Sequence, residues 1–356
     1  MVNSFTYILA NYNLNARFLS AFSNRYKNFN RKSVLSQAQF FNQMIGALHN
    51  DQADGPIVLC LGFFDGVHRG HQAVIREGKR RAEKLRAKLA IMTLDRYPGI
   101  VFNNEENKDF AYLSSERKKL ELFERFGVDL CYVVSFDEKF YTLSQQDFVE
   151  KYIVSLHAVC AVAGSDYTYG KMPYANSGDM SHLEGYANGR FEVVKISHML
   201  DDAEKISSTR IRKALRKGNV KMAEKLLGYS YETSGQVVHG FERGRKLGFP
   251  TLNLETKEPV MIPAEGVYAV FVRFEGEEKR YMGMASIGRN ETFGNHFEKT
   301  IEINLLDFSD MVYGKNVFVE WIELLRGMKK FSSAKDLIEQ LNHDKERTRK
   351  ILEKRN

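Results

Sequence analysis

The 356-residue chain is long enough for two domains with separate cores, and 43% hydrophobic with 27% charged residues is ordinary for a globular protein. No apolar run approaches the roughly 20 residues that span a bilayer, so no membrane segment is expected. The net charge of +7 raises nucleic acid as a partner, but residues 1–50 lack any acid and supply +5 of it through Arg17, Arg25, Lys27, Arg31 and Lys32. The remainder is nearly neutral, and a local cluster of cations is equally what a polyphosphate substrate requires, so no nucleic-acid partner is expected.

Residues 1–32, rich in asparagine, aromatics and arginine, read as a flexible extension without chemistry. Val34–Leu48 has helical spacing and leads into the first strand. Cys60, Cys131 and Cys160 sit singly in apolar runs without Cys-x-x-Cys spacing. They read as buried thiols of a reducing compartment, hence a cytoplasmic protein.

Ile57–Cys60 reads as a buried strand, Leu61–Gln72 as a glycine turn, and Ala73–Lys88 as a helix. Such an order offers free backbone N–H groups and a helix dipole to phosphate. His68 and His71 lie at the helix mouth, where each can donate a hydrogen bond to phosphate oxygen. Zinc on this His-x-x-His pair is disfavoured because no third ligand is near in sequence. Further strands are expected at Leu89–Leu94, Leu130–Ser135, Ala158–Ala163 and Phe191–Ile196, with helices from Ser114 or Ser115 to Phe126 and from Ser144 to Leu156. Apolar strands alternating with helices predict an α/β domain with a parallel sheet, whose ligands bind beyond the carboxyl ends of the strands.

Two more loops fall at such ends. Gly164–Gly170 brackets Asp166 and two tyrosines and suits a ring and a ribose. Ile206–Arg212 opens a helix capped by Ser207 or Ser208. Arg210 and Arg212 stand there against the helix dipole, so an anion is expected to share the site. Lys213–Gly228 reads as a helical connector, with a domain boundary near Leu227.

Beyond it, short alternating strands (266–273, 281–287, 300–308, 317–325) suggest a small antiparallel barrel, followed by a helix capped by Ser332 or Ser333. Leu337 and Leu341 would face inward and the charged tail would be solvated. Gly240, Gly244 and Gly248, interleaved with Arg243, Arg245 and Lys246, form a basic loop able to wrap a triphosphate. Thr251 and Asn253 share one face of the following extended segment and offer hard oxygen ligands to Mg²⁺. Glu302 and Asn304 share the face opposite Ile301, Ile303 and Leu305, where a carboxylate can take a proton from a substrate hydroxyl.

These residues also carry a resemblance. Gly62-Phe-Phe-Asp-Gly-Val-His-Arg-Gly-His71 resembles the His-x-Gly-His signature of nucleotidylyl transferases as worded in bacterial FAD synthetases (bifunctional riboflavin kinase/FMN adenylyltransferase). Gly164–Gly170 is similar to the family's Gly-x-Asp/Asn-Phe-x-Phe-Gly, and Ile206–Arg212 to its Ile-Ser-Ser-Thr-x-x-Arg. The chain from 227 to 344 resembles riboflavin kinase through Gly-Arg-x-x-Gly-Phe-Pro-Thr-x-Asn, Gly-Val-Tyr (266–268), Leu-Asp-Phe (306–308) and Tyr313-Gly314. The resemblance runs in the family's order from about residue 33 to 350.

It implies a Rossmann-like FMN adenylyltransferase domain (33–226) after the extension (1–32), then a barrel riboflavin kinase domain (227–356) with a C-terminal helix. Riboflavin, FMN and ATP would be the substrates, with Mg²⁺. His68, His71, Asp166, Ser208, Thr209 and Arg212 would be nucleotide and phosphate ligands. Gly244, Lys246 and Gly248 would cradle the kinase's ATP, Thr251 and Asn253 would hold Mg-ATP, and Glu302 would be the catalytic base. The chain departs from the family at Arg96 and Tyr97, where Pro-His is usual, at Ser286 and Glu291, and in a longer 171–179 loop. Alternatives are a kinase with a degenerate first half, or a flavin-responsive regulatory protein without turnover; self-association is left open.

Overall fold

The computed structural model describes residues 55–102, 110–170, 178–239, 248–256, 258–289 and 299–355. The expected helix at 34–48, the extension at 1–32, and the loop bearing Gly240, Arg243, Gly244, Arg245 and Lys246 lie outside the described residues, as do Glu291 and most of the 171–179 loop.

Five strands, β1 (Ile57–Leu61), β2 (Lys88–Leu94), β3 (Leu130–Val134), β4 (Ala158–Gly164) and β5 (Glu192–Ile196), form one sheet of order β3-β2-β1-β4-β5. Every pairing is parallel. The central strand, Ile-Val-Leu-Cys-Leu, is buried at every residue. It has a hydrophobic cluster on each face, Leu59 and Leu61 on one and Val58 and Cys60 on the other. The chain runs outward from β1 through β2 to β3, then returns to β1's other side at β4. That reversal opens a crevice at the carboxyl ends of β1 and β4.

Helix α1 (Arg69–Leu85) starts four residues before the expected Ala73 and ends three before Lys88. Its cap is His68, whose Nδ1 accepts from the His71 N–H at 3.3 Å, so an imidazole takes the place usually given to Ser or Asp. Gly78 lets α1 lie close on β1, because a Cβ there would stand 2.3 Å from Cys60 Sγ. Ser115 caps α2 (Glu116–Arg125) and Ser144 caps α3 (Gln145–Val149). The expected helix to Leu156 instead loosens into a π turn at Glu150–Val154. Asp179 caps α4 (Met180–Ala187), and Ser207 caps α5 (Ser208–Arg216). The connector is two helices rather than one, because Gly218 (φ +71°) breaks it before α6 (Val220–Leu227).

Six antiparallel strands follow: β6 (Tyr231–Val238), β7 (Leu252–Glu255), β8 (Gly266–Phe274), β9 (Arg280–Arg289), β10 (Lys299–Leu305) and β11 (Asn316–Arg326). They close a barrel in the order β6-β7-β10-β9-β8-β11. Ile301, Ile303 and Trp321 fill its interior, and Trp321 Nε1 donates to Thr233 Oγ1 at 2.9 Å. Helix α7 (Ala334–Glu353), capped by Ser333, packs on the outside. Its tail is not simply solvated: Leu352 is fully buried with Phe271 and Ile322, and buried Asp344 pairs with Arg326 at 2.8 Å. Leu341 packs against the same cluster, while Leu337 is only half-buried. All three cysteines are free and buried.

The two halves share one core. Leu113, Ile206, Ile211, Leu215 and Leu227 pack in a single cluster with the barrel interior. Backbone bonds cross as well, from Tyr112 N to Pro259 O (2.7 Å) and from Met261 N to Tyr112 O (2.8 Å).

Candidate functional sites

The first site is built on the turn between β1 and α1. Phe64, Gly66 and Val67 all have positive φ, +56°, +75° and +36°. For Phe64 and Val67 this costs about 1–3 kcal/mol each, so the surroundings must hold it. Thr93 Oγ1 donates to Phe63 O at 2.9 Å, and Gly66 N donates to Ser114 Oγ at 3.2 Å. Tyr229 Oη, from the junction with the barrel, donates to Gly66 O at 2.7 Å.

His68 and His71 stack with ring centroids 3.6 Å apart, and Phe64 meets His71 edge-on at 5.3 Å. Burial is the main cause that lowers both from their ordinary range, His68 to about 4, and nearby Lys205 pushes the same way. Both are therefore neutral at pH 7. With His68 Nδ1 accepting from the His71 backbone, its proton resides on Nε2, a donor.

The expected phosphate cations are already engaged. Arg210 pairs with Asp201 (3.2 Å) and Glu204 (3.0 Å). Arg212 pairs with Asp65, donates to Ala111 O at 3.1 Å and lies 4.5 Å over the Phe110 ring. In the structure both arginines at the start of α5 therefore meet protein carboxylates. Asp65 is 4% exposed and also accepts from Leu113 N at 2.8 Å. Burial pushes its carboxyl up, against the opposing charges of Arg212 and Lys119. Ser208 Oγ donates to Asp65 O at 3.1 Å, whereas Thr209 is exposed on the first turn of α5.

Asp166, in the loop after β4, accepts from Lys205 Nζ at 2.6 Å. Partial burial pushes it up, but the Lys205 hydrogen bond and charge outweigh this and hold it below its ordinary value. Tyr97, at the position of the family's histidine, stacks on Phe110 at 4.5 Å, and its backbone N donates to Tyr112 Oη at 3.3 Å.

The second site lies on the barrel's outer wall. Asn253 on β7 pairs in register with Glu302 on β10, which faces Ser286 on β9. Thr251 Oγ1 donates to Glu302 Oε2 at 3.4 Å. Asn304, 6% exposed, donates from Nδ2 to Pro250 O at 2.8 Å and so fixes the segment that carries Thr251. Gly248, with φ +81°, stands open: a Cβ there would meet no described atom within 4 Å. Thr251 and Asn253 offer a hydroxyl and an amide oxygen, hard donors that fit Mg²⁺, beside the Glu302 carboxylate. Among the described residues no group of three or more His, Cys, Asp or Glu is arranged to hold a metal.

Sequence reasoning passed over Asp65, Thr93, Lys119 and Lys205. Asp65 lies inside the Gly62–His71 motif, and two arginines set against the α5 dipole were the signal for a nearby acid. Nothing in local spacing marked the other three.

A riboflavin kinase family model matches residues 227–352 and an FAD synthetase model residues 50–210. The bifunctional riboflavin kinase/FMN adenylyltransferase of Listeria monocytogenes is 44% identical over 297 residues, 83% of this chain and 93% of its own. That of Bacillus subtilis is 39% identical over 295 residues, 81% of this chain and 90% of its own. A solved chain from Streptococcus pneumoniae, described as a macrolide-efflux protein, superposes with a TM-score of 0.78 at 36% identity, over 84% of this chain and 96% of that one. Among the described residues no helix is long and apolar enough to cross a membrane.

Proposed function

The chain belongs to the bifunctional riboflavin kinase/FMN adenylyltransferase family and uses ATP to convert riboflavin to FMN and FMN to FAD; we propose that the two sites divide these reactions between them. The observation that carries this division is the Thr251–Asn253–Glu302 set on the barrel wall, far in the chain from the stacked His68–His71 pair. We take 33–226 as the adenylyltransferase domain, with 1–32 an extension before it, and 227–356 as the kinase domain.

In the barrel, Glu302 takes the proton of the riboflavin 5′-hydroxyl as that oxygen attacks the γ-phosphorus, and the β–γ bridging bond breaks. Thr251 and Asn253 hold Mg²⁺, which when bound neutralises phosphate charge. Gly244, Lys246 and Gly248 cradle the triphosphate of this ATP.

At the first site an FMN phosphate oxygen attacks the α-phosphorus of ATP and pyrophosphate leaves. No protein nucleophile is required, so the site's work is positioning and charge stabilisation. Neutral His68 and His71 donate hydrogen bonds to the nucleotide phosphates. Thr209 presents its hydroxyl and Asp166 holds the ribose. Ser208 Oγ and one arm of the Arg212 guanidinium also fix the Asp65 turn beneath that nucleotide. Three buried free thiols support a reducing, cytoplasmic location.

The test is a time course of riboflavin, FMN and FAD with ATP and Mg²⁺, separated by chromatography. Glu302→Gln should lose FMN formation yet still adenylylate supplied FMN, while His71→Ala should accumulate FMN without FAD. Equal loss of both activities in either variant would contradict two separate sites.

A further inference from the structure

Adenylyl transfer pushes negative charge onto the departing pyrophosphate, and a cation at the first site adds to what its neutral hydrogen-bond donors can stabilise. Its two histidines are neutral, and Arg210 and Arg212 are committed to Asp201, Glu204 and Asp65. Two ammonium groups remain whose charges bear on His71, those of Lys119 and Lys205. Lys205 is neutralised by Asp166 at 2.6 Å.

Lys119 is different. It projects from α2 beneath the strained turn, and its Nζ donates to Phe63 O (3.5 Å) and Thr93 Oγ1 (3.4 Å). It also stands 5.0 Å over the Phe63 ring. Among the described residues no carboxylate comes within ion-pairing distance of it, although Asp65, Asp95 and Glu116 bear on it from farther away. Burial lowers its pKa, in keeping with an ammonium drawn out of water. A half-buried cation touching only neutral oxygens beside a phosphate turn is expensive unless an anion arrives to share the space.

We infer that Lys119 is the positioning residue that supplies the uncompensated positive charge of the adenylyltransferase site, acting through the Phe63–Thr93 end of the turn and across His71. The inference rests on FMN adenylylation being assigned to this site. In the reaction the bond from the FMN phosphate oxygen to Pα forms as the Pα–O–Pβ bond breaks. The electron pair goes to the pyrophosphate oxygen, and Lys119 stabilises that charge without giving up its proton.

The experiment uses the full chain and three variants. Lys119→Met removes charge and donors, Lys119→Gln keeps donors but not charge, and Lys119→Arg keeps the charge. FMN formation from riboflavin in the same samples reports that the protein is folded. We expect Met and Gln to lower the kcat of FAD formation about 100-fold, with Arg recovering at least tenfold of that and FMN formation unchanged. A Gln variant within twofold of the parent would show that only the hydrogen bonds matter and would overturn the proposal. So would an Arg variant as poor as Met. If Met also loses FMN formation through misfolding, the Gln–Arg pair decides. If the parent protein makes FMN but no FAD, the site assignment itself fails and takes this inference with it. That outcome is visible before any variant is made.

Discussion

Arg212 on α5 and Asp65 in the turn after β1 stand 147 positions apart in the chain and form a buried ion pair, their side chains 12% and 4% exposed. The pair ties a helix that follows the last strand of the parallel sheet to the turn that follows its first. Leu113 N on the Asp65 carboxylate and Ala111 O on the guanidinium draw residues 111–113 into the same knot.

Removing one partner of such a pair leaves a charge stranded. Arg212→Leu should destabilise the protein by about 3 kcal/mol, read by urea unfolding, and abolish FAD formation. Arg212→Lys should recover little, because one ammonium cannot serve the Asp65 carboxylate, the Ala111 carbonyl and the Phe110 face together.

The turn itself gives a second expectation. Gly66 has φ +75°, and a Cβ there would lie 2.9 Å from Leu113 Cβ. Gly66→Ala should cost about 1–3 kcal/mol and depress FAD formation while sparing riboflavin phosphorylation. Loss of the kinase activity to the same degree would mean that the turn's strain is felt in the barrel.

Acid should expose His68. Burial, with help from Lys205, lowers it to about 4 from an ordinary 6.5. The unfolded chain therefore takes up the proton first as pH falls. Stability from this group is complete above about pH 6.5 and is lost progressively towards pH 4. Between pH 7 and pH 5 the loss is about 2 kcal/mol. His68→Asn keeps a good helix cap and removes the titration, so its stability should fall less over that interval. Parallel pH profiles for the two proteins would refute the assignment.

On the barrel, Asn304→Leu should lower kinase kcat about tenfold and stability by about 1–2 kcal/mol. It orphans the Pro250 carbonyl and frees the segment that carries Thr251 and Asn253. Adenylylation of supplied FMN should not change.

The sheet was legible because its strands are buried on both faces. Ile57–Leu61, Leu89–Met92 and Ala158–Gly164 announce themselves as unbroken apolar runs between polar helices. The outward face of β10 was equally plain, since Glu302 alternates with Ile301 and Ile303. What escaped was set by contacts distant in sequence or by unusual capping. No rule of spacing links Asp65 to Arg212, and the start of α1 was missed because an imidazole caps it. The connector read as one helix because Leu215, Ala223 and Leu226 keep an apolar stripe across the Gly218 break. The charged look of α7 hid Leu352, which meets the barrel near the helix's end.

The core that passes from Leu215 and Leu227 into the barrel bears on how such a protein can be inherited. A cut near Leu227 would turn interior into surface on both sides and leave each product with a sticky apolar face. Genetic exchange at that point would have to bring in a replacement already shaped to cover Ile211, Leu215 and Leu113. The pairing of the two halves is therefore guarded by the same packing that folds them, and a swapped half would meet degradation or aggregation before its catalytic merit could be tried.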